Sequence, residues 1–492
     1  MRYVSSRDTE RKEYTAAQAI ISGLAADGGL FTPLLKGTYI DVEDLLNCSY
    51  QEIALEVMSA FLTDFNRQRL SQLIDSAYDD KFDSRNTVFL QQYEDQSYLM
   101  ELWHGPTLAF KDMALTILPY LLRESLKMCN DDRKVMILTA TSGDTGKAAL
   151  SGFRDVEGTS IIVFYPEEGV SDIQKLQMQT SPGKNVEVVA VKGNFDDCQK
   201  MVKELSLKEY DSRVQISSAN SINLGRLIPQ IVYYFSAYAD LRNRGVIARK
   251  EKVSFSVPSG NFGDILAGYL AKEIGLPVNR LICASNRNNV LTRFIRSGIY
   301  DARVPLVQTC SPSMDILVSS NLERLLYMLS DNDADKVRYY MESLKKDGVY
   351  TAEDALKKRI DTIFAAYWAS EEECVKTIRE TWTKDQALID PHTACGVSAL
   401  NQYRREYGYD GCCVVLSTAS PYKFSQDVYA SLQKEKIEDA FEAAEQLSAL
   451  TDTAVPKAVK ALKTAEVRFK RSIDPADGYS CVMEKVREIL HD

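Results

Sequence analysis

Apolar positions along this chain follow two different periods. Residues 52–74 carry Ile53, Val57, Phe61, Leu62 and then Phe65 at helical spacing, which predicts an amphipathic helix lying on a core. The whole stretch from residue 1 to about 85 reads as helical, with a break at Ala26-Asp27-Gly28-Gly29, where paired glycines permit backbone angles that other residues avoid. From residue 98 the pattern changes. Short continuous apolar runs at 98–103, 135–140, 160–165, 186–191, 252–257 and 411–416 are separated by helical stretches such as 113–127 and 264–274. Strands too apolar to face water, joined by helices, predict parallel sheets covered on both faces. Residues 320–385 are rich in charged helix formers and read as solvated helix faces. Beyond residue 426 the period is again helical, with Ile437, Phe441, Ala444 and Leu447 along one face.

Composition narrows the function classes. A chain of 492 residues is too long for one core, and 45% hydrophobic content suffices to fill two or three domains. A formal net charge of -10 offers no broad basic surface for a nucleic-acid backbone. No apolar run reaches membrane-spanning length, and Met1 to Asp8 lacks the apolar core of a signal peptide, so no membrane role and a cytoplasmic location are expected. The ten cysteines are scattered, with only Cys412-Cys413 adjacent, which predicts reduced thiols rather than a disulfide framework. The three histidines, His104, His392 and His491, have no metal-ligand spacing, and no metal is expected.

Four stretches carry candidate chemistry. In His104-Gly105-Pro106-Thr107-Leu108-Ala109-Phe110-Lys111-Asp112 a lysine sits between a strand and a helix with apolar cover beside it. A lysine becomes a useful nucleophile only where burial lowers its pKa, and Schiff-base chemistry is the best-known use of such a group. Thr141-Ser142-Gly143-Asp144-Thr145-Gly146 and Ser259-Gly260-Asn261-Phe262-Gly263 each follow a strand and open a helix, a geometry that holds anions. The first is not a Walker A loop, since two residues separate Gly143 from Gly146 and Ala148 stands where Ser or Thr is needed; the second lacks the Gly-x-Gly-x-x-Gly spacing. Asn220, Ser221, Asn223 and Arg226 lie within seven residues, and an arginine fork suits a phosphate. Thr418 falls at a strand end, where α/β sheets place ligand contacts. Each stretch alone is equally a turn, a cap or a surface arginine.

Taken in order, however, these stretches resemble threonine synthase. The resemblance is also carried by Gly23-Leu24-Ala25-Ala26-Asp27-Gly28-Gly29-Leu30, Ser311-Pro312-Ser313-Met314-Asp315-Ile316, Asp390-Pro391-His392-Thr393-Ala394 and Ser417-Thr418-Ala419, and runs from about residue 1 to 424. It implies a fold type II pyridoxal-phosphate enzyme of α/β class, with two open parallel-sheet domains and a mainly helical N-terminal accessory domain. The implied divisions are 1–85 for the accessory domain, 86–114 with 228–424 for a large cofactor domain, 115–227 for a small substrate-closing domain, and 425–492 for a helical C-terminal segment. The implied activity turns O-phospho-L-homoserine and water into L-threonine and phosphate by γ-elimination and β-hydration, in a monomer or homodimer.

By the same resemblance Lys111 is the cofactor lysine and the base at Cα and Cβ. Ser259, Gly260, Asn261, Phe262 and Gly263 hold the cofactor phosphate, and Thr418 faces the pyridine nitrogen. Ser142 and Thr145 hold the substrate carboxylate, while Asn220, Ser221, Asn223 and Arg226 grip its phosphate. His104 reads as a turn former before a proton carrier. The sequence departs from the family at Ser420, where a histidine commonly stands. Two other readings stay open: a related lyase that yields a keto acid, and a catalytically silent anion-binding scaffold, against which the presence of Lys111 argues.

Overall fold

The protein is described here by a computed structural model covering residues 1–82, 87–141, 143–167 and 170–491. Two sheets organise it. The larger runs in the order Phe364–Trp368, Val278–Ser285, Val253–Pro258, Cys413–Ser417, Ser97–Glu101 and Phe89–Glu94. Its strands pair in parallel except the last, which forms an antiparallel hairpin with Ser97–Glu101. The smaller sheet is wholly parallel, in the order Ser472–Ile473, Val186–Val191, Thr159–Pro166, Lys134–Ala140 and Val214–Ser217. Every residue of Thr159–Pro166 is buried, which explains its unbroken apolar run: helices cover both faces, so neither needs polar side chains.

Local chemistry explains where the helical reading held and where it did not. Residues 52–74 form two helices, Tyr50–Phe61 and Arg67–Ala77, because Ser49 caps the first in a capping box with Glu52 and Asn66 caps the second. Residues 113–127 likewise divide into Asp112–Leu115 and Leu118–Met128; Pro119 has no N–H to donate and is accommodated in the first turn of the second helix. Short strands lie in several segments read as helical. Tyr3–Ser5 pairs with Phe31–Pro33, Phe364–Trp368 forms an edge of the large sheet, and Ser472–Ile473 extends the small one. The C-terminal segment is therefore not purely helical. Its last helix, Gly478–His491, buries Cys481, Val482, Val486 and Ile489 against the small-sheet core.

The helix Leu224–Asn243 is buried along almost its whole length and packs on both Tyr50–Phe61 and Gly263–Glu273. It ties the accessory segment to the large sheet. The expected division at residues 227/228 falls in its first turn. Among the described residues no helix is long and apolar enough to cross a membrane.

Candidate active site

The lysine loop is stitched to the strand end beside it. Leu102 N–H donates to Ser417 O at 3.0 Å, Phe110 N–H to Thr418 O at 2.9 Å, and Ser420 N–H to Leu108 O at 3.1 Å. Within the loop, Thr107 donates its N–H and hydroxyl to the Asp112 carboxylate at 2.8 and 2.6 Å. Burial pushes Asp112 up to about 6 despite those bonds. Gly105 is required by this closure, because a Cβ there would lie 2.6 Å from an Asp112 carboxylate oxygen. Leu108 adopts a left-handed φ of 61°, an uncommon angle for a residue with a side chain. His104 stacks on Trp103 with ring centroids 4.4 Å apart and sits 2.7 Å from Glu101 Oε2, so its contacts recorded here hold the turn.

Lys111 is buried, and its Nζ lies 3.2 Å from Ser313 Oγ and 3.4 Å from Asp144 Oδ2. Burial lowers its pKa, with Asp144 opposing the shift and the charges of Lys423 and Arg226 adding to it. Asp144 is the first residue of the helix Asp144–Phe153 and comes from the small sheet, whereas Lys111 belongs to the large one. A second ammonium meets the same carboxylate: Lys423 Nζ is 2.6 Å from Asp144 Oδ1, which also accepts from Gln174 Nε2 at 2.8 Å. Burial alone would raise the Asp144 carboxyl, but Lys423 and Lys111 outweigh it and hold the group well below the usual carboxylate range. Ser313 is positioned from behind. Its N–H donates to His392 Nε2 at 3.1 Å, which puts the imidazole proton on Nδ1, 2.6 Å from Asp390 Oδ2.

The second glycine turn joins Val253–Pro258 to Gly263–Glu273. Its carbonyls are tied back: Ser319 Oγ donates to Gly260 O at 2.8 Å, and Asn321 donates N–H and Nδ2 to Asn261 O, both at 3.0 Å. Phe262 has a left-handed φ of 61°. Ser259 Oγ turns onto Val257 O at 2.8 Å. The N–H groups of a helix's first turn have no partner within the helix, which makes them the kind of donor an anion can take. Asp264 follows. Both Tyr233 and Tyr234 donate to its Oδ1, the latter at 3.0 Å, while Oδ2 has no hydrogen-bond partner. Burial lifts its carboxyl to about 7 against those two bonds.

The remaining expected contacts are distributed unevenly. In the first glycine turn Thr141 Oγ1 accepts from both Gly143 and Gly146 N–H at 2.9 Å; Thr145 is half-buried, and Ser142 lies outside the described residues. Asn220 and Ser221 are half-buried, and Ser221 Cβ lies 3.7 Å from a Cβ built on Gly263, so this loop borders the second turn. Asn223 donates to Ile20 O at 3.1 Å and caps Gly225 N–H at 2.9 Å, which commits its amide to backbone. Arg226 is buried and donates Nη1 to Ala219 O at 2.5 Å, while its Nε has no partner. Burial brings its guanidinium down to about 10, with Tyr233 opposing. Thr418 is buried beside the lysine loop.

Asp144, Ser313, Asp390 and His392 lie within the sequence motifs without an assigned role, and Lys423 lies three residues beyond Ser420, outside them. Each is an acidic, basic or hydroxyl residue inside a glycine- or proline-rich turn, which is the one sequence signal they share. They come from four separate loops that meet around Lys111.

Three family models cover the chain in order: "Threonine synthase N terminus" at residues 2–78, "Pyridoxal-phosphate dependent enzyme" at 88–418 and "Threonine synthase, C-terminal" at 393–475. A threonine synthase of Pseudomonas aeruginosa is 38% identical over 438 residues, covering 87% of this chain and 90% of that one. The chain belongs to the threonine synthase family. Human threonine synthase-like 1 is 36% identical over 460 residues, or 89% of this chain, but the match spans only 61% of that longer protein. Among solved structures, PLP-bound threonine synthase from Brucella melitensis is 36% identical with a TM-score of 0.86, and the yeast enzyme is 33% identical at 0.88, both over 99% of each chain.

The cofactor of the family is pyridoxal 5'-phosphate, and the residues present fit it. Gly260 leaves room that a side chain would close, since a Cβ there would lie 2.7 Å from Ser313 O. Lys111 is buried with its pKa lowered, as a lysine that bonds a carbonyl carbon requires. Thr418, uncharged, is buried at the strand end beside the lysine loop.

Proposed function

We propose that this protein converts O-phospho-L-homoserine and water into L-threonine and phosphate. The observation that carries the reading is the match of threonine synthase models to both flanks of the cofactor unit, segments that a generic pyridoxal-phosphate enzyme does not need. In the reaction the γ C–O bond to phosphate and a Cβ–H bond break, the water oxygen bonds to Cβ, and Cγ takes up a proton to become the methyl group. When bound, the cofactor supplies a sink for the electrons left at Cα.

The chain's own groups do the rest. Lys111 holds the cofactor and then carries protons at Cα and Cβ; its lowered pKa favours the neutral amine that accepts them. The turn Ser259, Gly260, Asn261, Phe262 and Gly263 takes the cofactor phosphate at a helix N-terminus. Thr418 donates or accepts at the pyridine nitrogen without adding charge. Ser142 and Thr145 orient the substrate carboxylate. Asn220, Ser221 and Arg226 steady the leaving phosphate, with Asn223 holding their loop through its backbone bonds, and the unpartnered Nε of buried Arg226 is the donor best suited to the phosphate. The proposed setting is the cytoplasm, as a monomer or homodimer, which suits a chain whose ten cysteines are all free.

The test is to supply O-phospho-L-homoserine and follow both products. One phosphate per L-threonine is expected; phosphate with a keto acid and ammonia would replace this reading with a lyase.

A further inference from the structure

We propose that Lys423, which the reaction itself does not use, is a positioning residue that neutralises Asp144 and so keeps the N-terminus of the helix Asp144–Phe153 receptive to the substrate carboxylate. The inference rests on the reading above, in that it assigns the substrate's amino-acid end to the 141–146 turn. Three observations support it. Asp144 is buried at the head of the very helix that would receive a second anion, and a lone carboxylate there would repel it. Of its two lysine partners, Lys111 is 3.4 Å away and gives up its free amine to the cofactor, whereas Lys423 is 2.6 Å away and has no bond to make there. Finally, Lys423 is built for that one task. Its side chain is 0% exposed, and among the described residues Nζ otherwise donates to Thr107 O, at 3.0 Å.

The location adds a second consequence. Lys423 lies in the turn Pro421–Phe424, just past Thr418 on the large sheet; Thr107 lies in the lysine loop; Asp144 heads a helix of the small sheet. One ammonium therefore ties three segments that meet at the crevice. A buried charge left without its partner is strongly destabilising, while removing both partners together costs far less, so the pair is separable by mutation.

The experiment uses the full-length holoenzyme with Lys423→Met, Asp144→Asn and the double variant. Binding of L-threonine, a carboxylate-bearing probe, is followed by the change in cofactor absorbance; KM for O-phospho-L-homoserine and amide exchange in residues 144–153 are measured alongside. Lys423→Met should retain cofactor absorbance, weaken L-threonine binding and raise KM by about tenfold or more, and speed amide exchange in that helix. Adding Asp144→Asn should recover most of the lost affinity, because no unpaired carboxylate remains. Affinity within about twofold of the parent in Lys423→Met would overturn the proposal, as would a double variant no better than the single one, which would make the role packing alone. If Lys423→Met fails to accumulate, the double variant decides: folded with near-parental L-threonine affinity upholds the proposal, and weak affinity refutes it. Should the parent bind L-threonine yet not turn over phosphohomoserine, the substrate assignment fails while the binding comparison still judges Lys423.

Discussion

The two glycine turns of this protein look alike in sequence and handle charge in opposite ways. Each follows a parallel strand, opens a helix and places an aspartate at its start, Asp144 in one and Asp264 in the other. Asp144 is kept ionised by two lysines. Asp264 is turned onto Tyr233 and Tyr234, and burial lifts its carboxyl to about 7, so its negative charge is suppressed. On the proposed assignment, a turn that receives a doubly charged phosphate gains from a neighbour whose charge is suppressed, and a turn that receives a single carboxylate tolerates an ionised one if a cation balances it. Anion binding at a helix N-terminus is thus decided less by the amides, which both turns have, than by what is done with the acid beside them.

Several changes would break or sharpen that contrast. The largest effect is expected at the lysine that lies between the turns. Lys111→Ala should lower turnover by about a thousandfold or more while the protein stays folded and retains some cofactor, since the phosphate turn is separate from the amine. Borohydride reduction of the parent followed by peptide mapping should find the cofactor on Lys111; an adduct on another lysine would refute the assignment. Next, Gly260→Ala should weaken cofactor binding by roughly tenfold to a hundredfold, because its Cβ would lie 2.7 Å from backbone oxygen Ser313 O, which cannot swing aside. Gly263→Ala, with its nearest neighbour at 3.4 Å, should be far milder, and equal losses in cofactor titrations would contradict the packing argument.

Arg226→Lys keeps the charge and loses the planar fork. A lost charge-assisted bond of about 1.5 to 3 kcal/mol corresponds to a fall in kcat/KM of roughly tenfold to somewhat over a hundredfold, with cofactor affinity unchanged. Unchanged kcat/KM would make Arg226 a packing residue.

The smallest effect is a pH dependence. The Asp264 carboxyl is raised in the fold, so the stability tied to it is fully present below the unfolded carboxyl value and is lost as pH rises through about 7. Asp264→Asn removes that loss while still accepting from the two tyrosines. Its Tm relative to the parent should rise by about 2 °C between pH 5 and pH 8. A difference that stays flat across that range would show that Asp264 is ionised throughout.

Six of the eleven strands in the two sheets were legible as apolar runs, because their neighbours leave them no polar face. Val186–Val191 is an apolar run of the right length, and Cys413–Ser417 was foreseen within one residue or two. Ser472–Ile473 was not, since two residues carry no period and their strand character comes from the edge of Val186–Val191 that they meet. The helix Leu224–Asn243 shows the same limit from the other side: nothing in its sequence says that both the accessory segment and the large sheet will close over it.

For the site, the sequence by itself determined the chemical inventory: a lysine in an apolar turn, two glycine turns before helices, a threonine at a strand end and an arginine after a polar cluster. Those are local facts, set by residue type and spacing over a few positions. Only the tertiary structure decided which charges face one another. Lys423 reaches Asp144 although the two are far apart in the chain, because parallel sheets bring the ends of distant strands to one crevice. Asp264 and Asp144, alike on paper, part ways because one packs against tyrosines and the other against lysines. An aspartate's charge is set by the groups within a few ångströms of it, and those groups are chosen by the fold.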